Sequence, residues 1–353
     1  MRRALLDTLV DPVNGTSLQV EAHSYGPEED ILEGVLQGSL GTSYRITKGI
    51  PRFLVSEDPN QKQTENSFGF KWKQRDTYDS LQVHMTARTW FMRRYGFANI
   101  ATMQDFFGSR RRILDAGCGS GFTTSLFMDR DWREKANTEW IGVDVSEAID
   151  VAQERLGGSN PRTHFIQADI LHLPLRQGAF DTIIAEGVLH HTPSTELALK
   201  SLVPLLARGG EILFYVYRKK APIREFTDDY IRGILSQLEP QEAWAQLRPL
   251  TKLGQALAEM HVEVNISEDV PLLGIKAGRH DIQRLIYWHF AKLFWNEAWS
   301  EEENNHVNFD WYHPRYAHRH TENEIRRWCA ESSLSIHQFA AEESGFTVRA
   351  IKQ

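Results

Sequence analysis

The chain has little cysteine, no excess of basic residues and no long apolar run. Its 353 residues include two cysteines, Cys118 and Cys329, too few for a disulfide framework or a thiolate zinc site. The net charge of −7 argues against a generally basic nucleic-acid surface, although a local basic patch is compatible with an acidic protein. No stretch approaches the roughly 18 apolar residues of a membrane span. These absences favour a reducing, cytoplasmic setting and predict no export signal, no membrane anchor and no bound metal.

The most informative stretch is a strand-like apolar run that ends in an acid and is followed by alternating glycines. The run begins at Ile113 and ends at Asp115, and glycines occupy positions 117, 119 and 121. Glycine tolerates positive φ and has no Cβ to keep a ligand away. With the helix-like residues 122–129, this predicts the strand, glycine loop and helix of a nucleotide-binding α/β domain. Phe122 stands where the dinucleotide fingerprint has its third glycine, which favours a cofactor without a pyrophosphate.

Hydrophobic patterning divides the chain into four regions. Residues 1–55 predict a small β module, and residues 56–108 predict a helical, aromatic connecting region. Residues 109–217 alternate between strand and helix, which predicts a mostly parallel sheet covered by helices. The same domain is predicted to resume over 321–353, where Thr321 and Glu324 suit a capping box. Residues 218–320 are therefore expected to be an insertion.

Two later strands end in acids, and a pair of glycines precedes the fifth strand. Asp144 and Asp169 are these acids, and Gly209 and Gly210 are the pair. In this order the motifs resemble class I S-adenosylmethionine-dependent methyltransferases, over residues 111–217 together with 321–353. The resemblance implies a Rossmann-like α/β core with a seven-stranded, mostly parallel sheet whose last strand is antiparallel. It also implies S-adenosylmethionine as the cofactor.

The resemblance carries specific cofactor roles onto residues of this chain. Asp144 is expected to accept both ribose hydroxyls, which a carboxylate can do. Asp169 is expected to accept from the adenine amino group, with Ile170 against the ring. Each acid could instead only cap a turn or helix, but acids at these strand ends usually face a ligand. The full set of expected cofactor-binding residues is Asp115, Gly117, Cys118, Gly119, Asp144, Val145, Asp169, Ile170 and Glu186.

The N-terminal region resembles a small zinc-ribbon-like module known as a methyltransferase activator. The segment Gly-Ile-Pro-Arg-Phe-Leu at 49–54 is its most specific part. Asp11, Asn14, Gly38 and Leu40 stand where the cysteines of such a module are expected. Without thiolates the module must be held by packing, either alone or against the main domain. It is predicted to be a scaffold or a dimerisation element, so a homodimer is one expected form.

The insertion is predicted to be a helical lid over the acceptor, because strand five ends beside the transferred methyl group in the family that the chain resembles. Residues 308–320 concentrate aromatic, imidazole and guanidinium groups, which suit a planar or anionic acceptor. A solvated basic loop with aromatic anchors is the alternative. A metal on the histidines of this segment is disfavoured, since no cysteine or acid pair completes a site. The predicted substrate residues are Tyr217, Trp311, Tyr312, Arg315, Tyr316 and His318.

Histidines are the candidates for a general base. His190 and His191 follow the fourth strand, near the expected methyl group, and His313 lies in the lid. A general base needs a pKa near the working pH and direct reach to the acceptor proton. The pair at 190 and 191 could instead pack against the cofactor. Methyl transfer is an in-line displacement, so alignment can supply much of the rate without a strong base.

These features predict a cytoplasmic methyltransferase of small-molecule biosynthesis. The expected reaction is methyl transfer to an oxygen or nitrogen of a small molecule, with no nucleic-acid or membrane partner. One alternative is an S-adenosylmethionine-binding enzyme of different chemistry. Another is a non-catalytic, methyltransferase-like partner protein, and a macromolecular substrate is a third option.

Overall fold

A computed structural model describes residues 1–26, 28–53, 58–128, 137–157 and 162–353. The predicted domain boundary at residue 55 and the predicted helix end at Asp129 lie outside these residues. The N-terminal part forms four strands followed by three helices: β1 (Gln19–Tyr25), β2 (Ile31–Gln37), β3 (Ser43–Thr47), β4 (Ile50–Phe53), α1 (Pro59–Lys73), α2 (Leu81–Tyr95) and α3 (Ile100–Gly108).

The central part alternates strands and helices, as the sequence pattern predicts. Its elements are β5 (Arg112–Ala116), α4 (Phe122–Ser125), β6 (Glu139–Asp144), α5 (Ala148–Leu156), β7 (Thr163–Ala168), β8 (Phe180–Glu186), α6 (Thr195–Leu202) and β9 (Leu206–Tyr217). Helix α6 ends at Leu202 because Pro204 follows in a short 3-10 turn, and Pro204 has no N–H to continue the α-helix.

The remaining elements belong to the insertion and to the return of the chain to the core. They are α7 (Pro222–Leu235), α8 (Pro240–Glu259), β10 (Glu263–Ile266), β11 (Gly278–Asp281), α9 (Ile282–His289), α10 (Glu301–Tyr312), α11 (Glu322–Glu331), β12 (Leu334–Ala341) and β13 (Gly345–Lys352). The capping box of α11 is present, with Thr321 and Glu324 bonded reciprocally. Residues 308–312 form the end of α10.

Within the described ranges, β10 and β11 form a small separate sheet, and the other eleven strands form one sheet in the order β1-β2-β3-β4-β7-β6-β5-β8-β9-β13-β12. Strands β7, β6, β5, β8 and β9 are parallel, and β13 is antiparallel to both β9 and β12. The Rossmann-like α/β core is therefore confirmed, but the sheet as a whole is larger than the predicted seven strands. The count differs because β4 pairs in parallel with β7, so the N-terminal strands extend the same sheet.

One guanidinium helps to fix the N-terminal strands to the core. Arg52 of β4 donates to both carboxylate oxygens of Asp150 on α5, at 2.8 and 3.2 Å. Its Nη1 also donates to the side-chain oxygen of Gln167 on β7, at 2.6 Å. A planar guanidinium suits this two-point contact with a carboxylate. The β module is thus bound to the core by charge as well as by strand pairing.

A buried carboxylate occupies the place in the N-terminal module where cysteines were expected. Asp11 is fully buried and accepts hydrogen bonds from the Val13 amide, the Thr42 hydroxyl and the Tyr44 hydroxyl. A Cβ on Gly38 would lie 2.1 Å from Asp11 Oδ2, so a cysteine does not fit there without a shift. Burial alone would raise the pKa of Asp11, but these hydrogen bonds outweigh burial and lower it. Hydrogen bonding to Asp11 therefore joins the loop that contains Asp11 to the segment around Thr42.

No helix in the described ranges is long and apolar enough to cross a bilayer.

Replacing Asp11 by Asn should lower the free energy of unfolding by about 2 kcal/mol, because hydrogen bonds to a buried carboxylate are lost. The folded-state pKa is depressed, so this contribution is present above the unfolded pKa and is lost as the pH falls through the folded value. Urea unfolding at pH 7 and at pH 3 measures both effects. Asp7→Asn, at an exposed position of the same module, is the control. Equal stability of Asp11→Asn and wild type at pH 7 would contradict this role.

Candidate active site

A cavity of about 850 Å³ lies at the carboxyl ends of the parallel strands. The residues that follow or end β5, β6, β7, β8 and β9 all reach it, namely Gly117, Asp144, Asp169, Glu186 and Tyr217. Ligands bind at this edge in open α/β sheets. Helix α1 forms one wall, and segments of the insertion form the side opposite the sheet.

The glycine loop is held tightly against the neighbouring strand. Gly117 has a φ of +75°, and a Cβ there would lie 2.2 Å from Val188 Cγ2. The amides of Gly117 and Cys118 donate to the Val143 carbonyl at 2.7 and 3.0 Å. Only glycine at position 117 therefore allows the loop to approach both β6 and the cavity.

Asp144 lines the cavity and also fixes the glycine loop. Its Oδ2 accepts from the Gly119 amide at 2.8 Å, and its Oδ1 accepts from the amide and hydroxyl of Ser146. Burial raises the pKa of Asp144 despite these three donors. A carboxylate has about four acceptor positions, so capacity remains for a hydroxyl of a ligand.

The same end of the cavity contains two side chains from α1 that the sequence did not single out. The Oε1 atoms of Gln61 and Glu65 are buried and lack a hydrogen-bond partner within the described part of the chain. Burial, with Asp169 nearby, raises the pKa of Glu65 to about 7. Val145 and Ile170 line this end too. Unpartnered acceptors beside two acids suit a ligand that presents hydroxyl and amino donors, as the adenosine of S-adenosylmethionine does.

Glu186 lies at the opposite end of the strand edge. It accepts from Arg94 Nη1 at 2.8 Å and from the Tyr95 hydroxyl. Arg94 also lies over the ring of Tyr215, 4.3 Å from its centroid, and lines the cavity. A guanidinium and a carboxylate are therefore available together for the charged end of an amino-acid ligand.

Three predicted cofactor residues support the loop and do not line the cavity. Asp115 is buried and accepts from the Thr124 hydroxyl, and burial raises its pKa to about 7. Cys118 is buried, and burial holds the pKa of its thiol well above the usual value. A Cβ on Gly119 would lie 2.8 Å from Trp72 Nε1. Direct contact of these residues with the cofactor stays a prediction.

A buried ion pair marks the acceptor end of the cavity. Lys71 of α1 pairs with Asp310 of α10, which also accepts from the Tyr217 hydroxyl at 2.9 Å. Burial disfavours the carboxylate, but the Lys71 ammonium outweighs burial and holds the pKa of Asp310 far below normal. Trp311 lines the same end, with its ring centroid 4.5 Å from that of Tyr217. Tyr217 and Trp311 are thus placed together, as predicted substrate residues should be.

The two adjacent histidines differ in their access to the cavity. His191 lines it, and its Nδ1 lies 2.6 Å from the Tyr316 carbonyl oxygen. A carbonyl only accepts, so Nδ1 carries the proton and Nε2 keeps a lone pair. Burial lowers the pKa of His191 to about 4. His190 is fully buried against the Tyr217 ring and does not line the cavity.

The structure places five other predicted site residues outside the cavity. His313 is buried, bonded to the Ser67 hydroxyl and the Leu238 carbonyl, because it packs on the inner side of α10. Tyr312, on the same side, donates to Asp228. The others bond to different elements around the core: Arg315 to Ser236, Tyr316 to Asp58 and His318 to Thr192. Among the described residues, no cluster of three or more His, Cys, Asp or Glu side chains is arranged to hold a metal.

Helix α1 contributes several of the lining residues that sequence analysis missed. Gln61, Glu65, Phe68 and Trp72 follow one another at intervals of three or four residues, and Lys71 extends the row. This helical spacing of polar and aromatic groups was the available signal. It was obscured because the surrounding segment is rich in aromatics at mixed spacings.

Comparison with known proteins agrees with this arrangement. Residues 113–210 match a family model described as a methyltransferase domain. These residues therefore form an S-adenosylmethionine-dependent methyltransferase domain of class I, and the predicted enzyme class is confirmed at the level of this domain. The predicted cofactor, S-adenosylmethionine, is also confirmed.

Three relatives extend the comparison beyond the domain. A tRNA U34 carboxymethyltransferase of Ectopseudomonas mendocina is 25% identical over 309 residues, covering 82% of this chain and 89% of that protein. The tRNA (carboxymethyluridine(34)-5-O)-methyltransferase alkbh8 of Xenopus tropicalis is 25% identical, covering 66% of this chain and 34% of that protein. An uncharacterized protein of Synechococcus sp. is 29% identical, and the match covers 65% of this chain and 49% of that protein. The chain therefore spans less than half the length of two of these relatives.

The relatives overturn two predictions. Those named for a reaction are tRNA-modifying enzymes, so the small-molecule acceptor and the exclusion of nucleic acid were wrong. The predicted role in small-molecule biosynthesis was wrong for the same reason. The physical reason is that the net charge of −7 is an average over the whole chain, whereas nucleic-acid binding depends on local charge.

Asp144→Ala should weaken binding of S-adenosylmethionine about 10- to 100-fold, since charge-assisted hydrogen bonds to ligand and loop are lost. Trp311→Ala should leave cofactor affinity near wild type and impair use of the acceptor. Calorimetry with S-adenosylmethionine measures the first effect, and turnover measures the second. Asp105→Ala, on the exposed side of α3, is the matched control. Equal loss of cofactor affinity in Asp144→Ala and Trp311→Ala would refute this division of roles.

Proposed function

We propose that the chain transfers the methyl group of S-adenosylmethionine to a nucleoside of tRNA. The tRNA substrate in this proposal rests on the similarity to a tRNA U34 carboxymethyltransferase over 82% of this chain and 89% of that protein, and the transfer of a methyl group rests on the methyltransferase-domain match. A second relative, also named for position 34 of tRNA, supports the same substrate class.

In this proposal the cofactor lies along the strand ends. Asp144 would accept from the ribose hydroxyls, and Asp169 and Ile170 would hold the adenine. Gln61 and Glu65 would add acceptors from α1, and their unpartnered buried oxygens support this assignment. Bound S-adenosylmethionine supplies an electrophilic methyl group on sulfur.

The acceptor would enter from the side formed by the insertion. Residues 218–320 would act as a lid, because their segments line the cavity beyond Tyr217. A cavity of about 850 Å³ is large enough for a cofactor and one extruded base, and enzymes that modify a base take it out of the stack. Exposed basic side chains, Arg93 and Arg284, also line it. They would contact the phosphate backbone, which dominates nucleic-acid affinity.

We propose an oxygen acceptor that needs little help from a base. His191 is the histidine with access to the cavity, and its low pKa makes it a weak base. An ionised oxygen, such as a carboxylate, has no proton to remove. His191 and Tyr217 would then orient the acceptor, and alignment would supply much of the rate. The name of the Xenopus relative, a carboxymethyluridine 5-O-methyltransferase, favours this chemistry.

The N-terminal module would be a metal-free relative of a zinc ribbon that acts as a scaffold. The hydrogen bonds centred on Asp11 support this role, since they join the loops at positions 11–16 and 38–42. The bidentate contact of Arg52 with Asp150 would keep the scaffold beside the adenosine end of the cavity.

Incubation of the full chain with labelled S-adenosylmethionine and total tRNA should place label in tRNA, at a uridine of the anticodon loop. Nuclease digestion and mass spectrometry identify the nucleoside. tRNA from cells that lack the chain's gene avoids acceptors that are already modified. Absence of label from every tRNA tested, with cofactor binding intact, would sink the proposal.

Arg284→Ala should weaken tRNA binding several-fold and lower the slope of log affinity against log salt by about 1, as loss of one phosphate contact does. Filter binding at several salt concentrations measures both. Arg208→Ala is the matched control, because Arg208 is exposed near the start of β9, away from the cavity. Identical salt slopes for Arg284→Ala and Arg208→Ala would remove Arg284 from the RNA contact.

A further inference from the structure

Two lysines of the insertion face the cavity without a carboxylate partner. Lys220 precedes α7, and Lys292 follows α9, and both line the acceptor end. Lys292 is only 6% exposed. Neither ammonium forms an ion pair within the described ranges, although Lys220 donates to the carbonyls of Glu343 and Ser344. Positive charge is therefore buried here without a matching negative charge.

The two acids that act electrostatically on these lysines, Asp228 and Asp310, are already engaged with other groups. Asp228 accepts from Arg224 Nε at 2.8 Å and from the Tyr312 hydroxyl at 2.9 Å. Asp310 is paired with Lys71 and bonded to Tyr217. Each carboxylate thus neutralises one cation, and the charges of the two lysines remain.

Burial makes this arrangement costly in the absence of an anion. It lowers the pKa of both Lys220 and Lys292 to about 7, from an ordinary value near 10.5. A buried ammonium is stabilised by a partner that brings negative charge and hydrogen-bond acceptors. Asp228 and Asp310 act on these ammonium groups only at longer range, and no described carboxylate forms an ion pair with either of them, so the partner expected is a ligand.

Aromatic rings beside the lysines define the shape of that ligand. Lys292 Nζ lies 4.6 Å from the Trp311 ring centroid, and Lys220 Nζ lies 5.4 Å from the Trp288 ring centroid. Both rings line the cavity. Flat walls next to two cations suit a planar ring that carries a carboxylate or a phosphate group.

We propose that Lys220 and Lys292 form an oxyanion-binding subsite, beside Trp311 and Trp288, for the acidic group of the acceptor. The subsite rests on the proposed function for its nucleoside and selects acceptors that carry a carboxylate or a phosphate. Arg224 lines the same cavity but is already paired with Asp228, and its guanidinium carbon lies 5.5 Å from the Trp311 ring centroid.

The test is equilibrium binding to the full chain saturated with S-adenosylhomocysteine. The probes are uridine, uridine 5′-monophosphate and 5-carboxymethyluridine, which differ in the presence and source of the anion. Wild type should bind at least one acidic probe about tenfold or more tightly than uridine. Preference for 5-carboxymethyluridine assigns the subsite to the base, and preference for the monophosphate assigns it to the backbone.

Lys220→Met and Lys292→Met should each lower affinity for the preferred acidic probe about tenfold and leave affinity for uridine unchanged. Thermal unfolding checks that both variants fold, and removal of a desolvated charge should not destabilise them. Lys252→Met, on an exposed part of α8, is the matched control.

Two outcomes would overturn the subsite. One is equal binding of the neutral and acidic probes by wild type. The other is a tenfold loss of S-adenosylhomocysteine affinity in the lysine variants, which would assign these residues to the cofactor. If lysine-dependent binding of an acidic probe persists but no tRNA is ever methylated, the subsite stands and the proposed tRNA substrate falls.

Discussion

The pairing of Lys71 with Asp310 is the constraint on which the cavity depends. It joins α1, which covers the sheet edge, to α10 of the insertion, and Tyr217 of β9 bonds to the same carboxylate. Removing one member of a buried pair leaves the other charge without compensation, which is strongly destabilising. Two segments 239 residues apart in sequence thereby meet in one part of the cavity wall. The cofactor end and the acceptor end share this junction as a common wall.

Local patterns were sufficient to place the part of the site built on strand ends. Asp144, Asp169 and Glu186 terminate or follow strands whose apolar runs are evident in the sequence, and in a parallel sheet those ends meet at one edge. For the same reason, the strand order of the core could be anticipated from the resemblance, whereas the addition of β4 beside β7 could not, since it depends on contacts distant in sequence.

The acceptor side could not be predicted because the orientation of α10 about its own axis decides which of its residues face the cavity. At the end of α10, Asp310 and Trp311 line the cavity, whereas Tyr312 and His313, the residue that follows the helix, pack away from it. Composition identified this segment but not its orientation. The overall acidity of the chain likewise gave no sign of the basic groups at the acceptor end, because a net charge does not show where individual charged residues lie.

The parallel pairing of β4 with β7 attaches the N-terminal strands to the core and also covers the outer edge of β7. It consists of Arg52 beside Gln167 and Phe53 beside Ala168, directly before Asp169. Without β4, the outer side of β7 would present unpaired amides and carbonyls, and such an edge recruits strands from other molecules. A chain that lacked the N-terminal strands would therefore expose an unpaired, aggregation-prone edge of β7 next to the expected adenine-binding end of the cavity. The N-terminal strands move the free edge of the sheet outward to β1, away from the cavity.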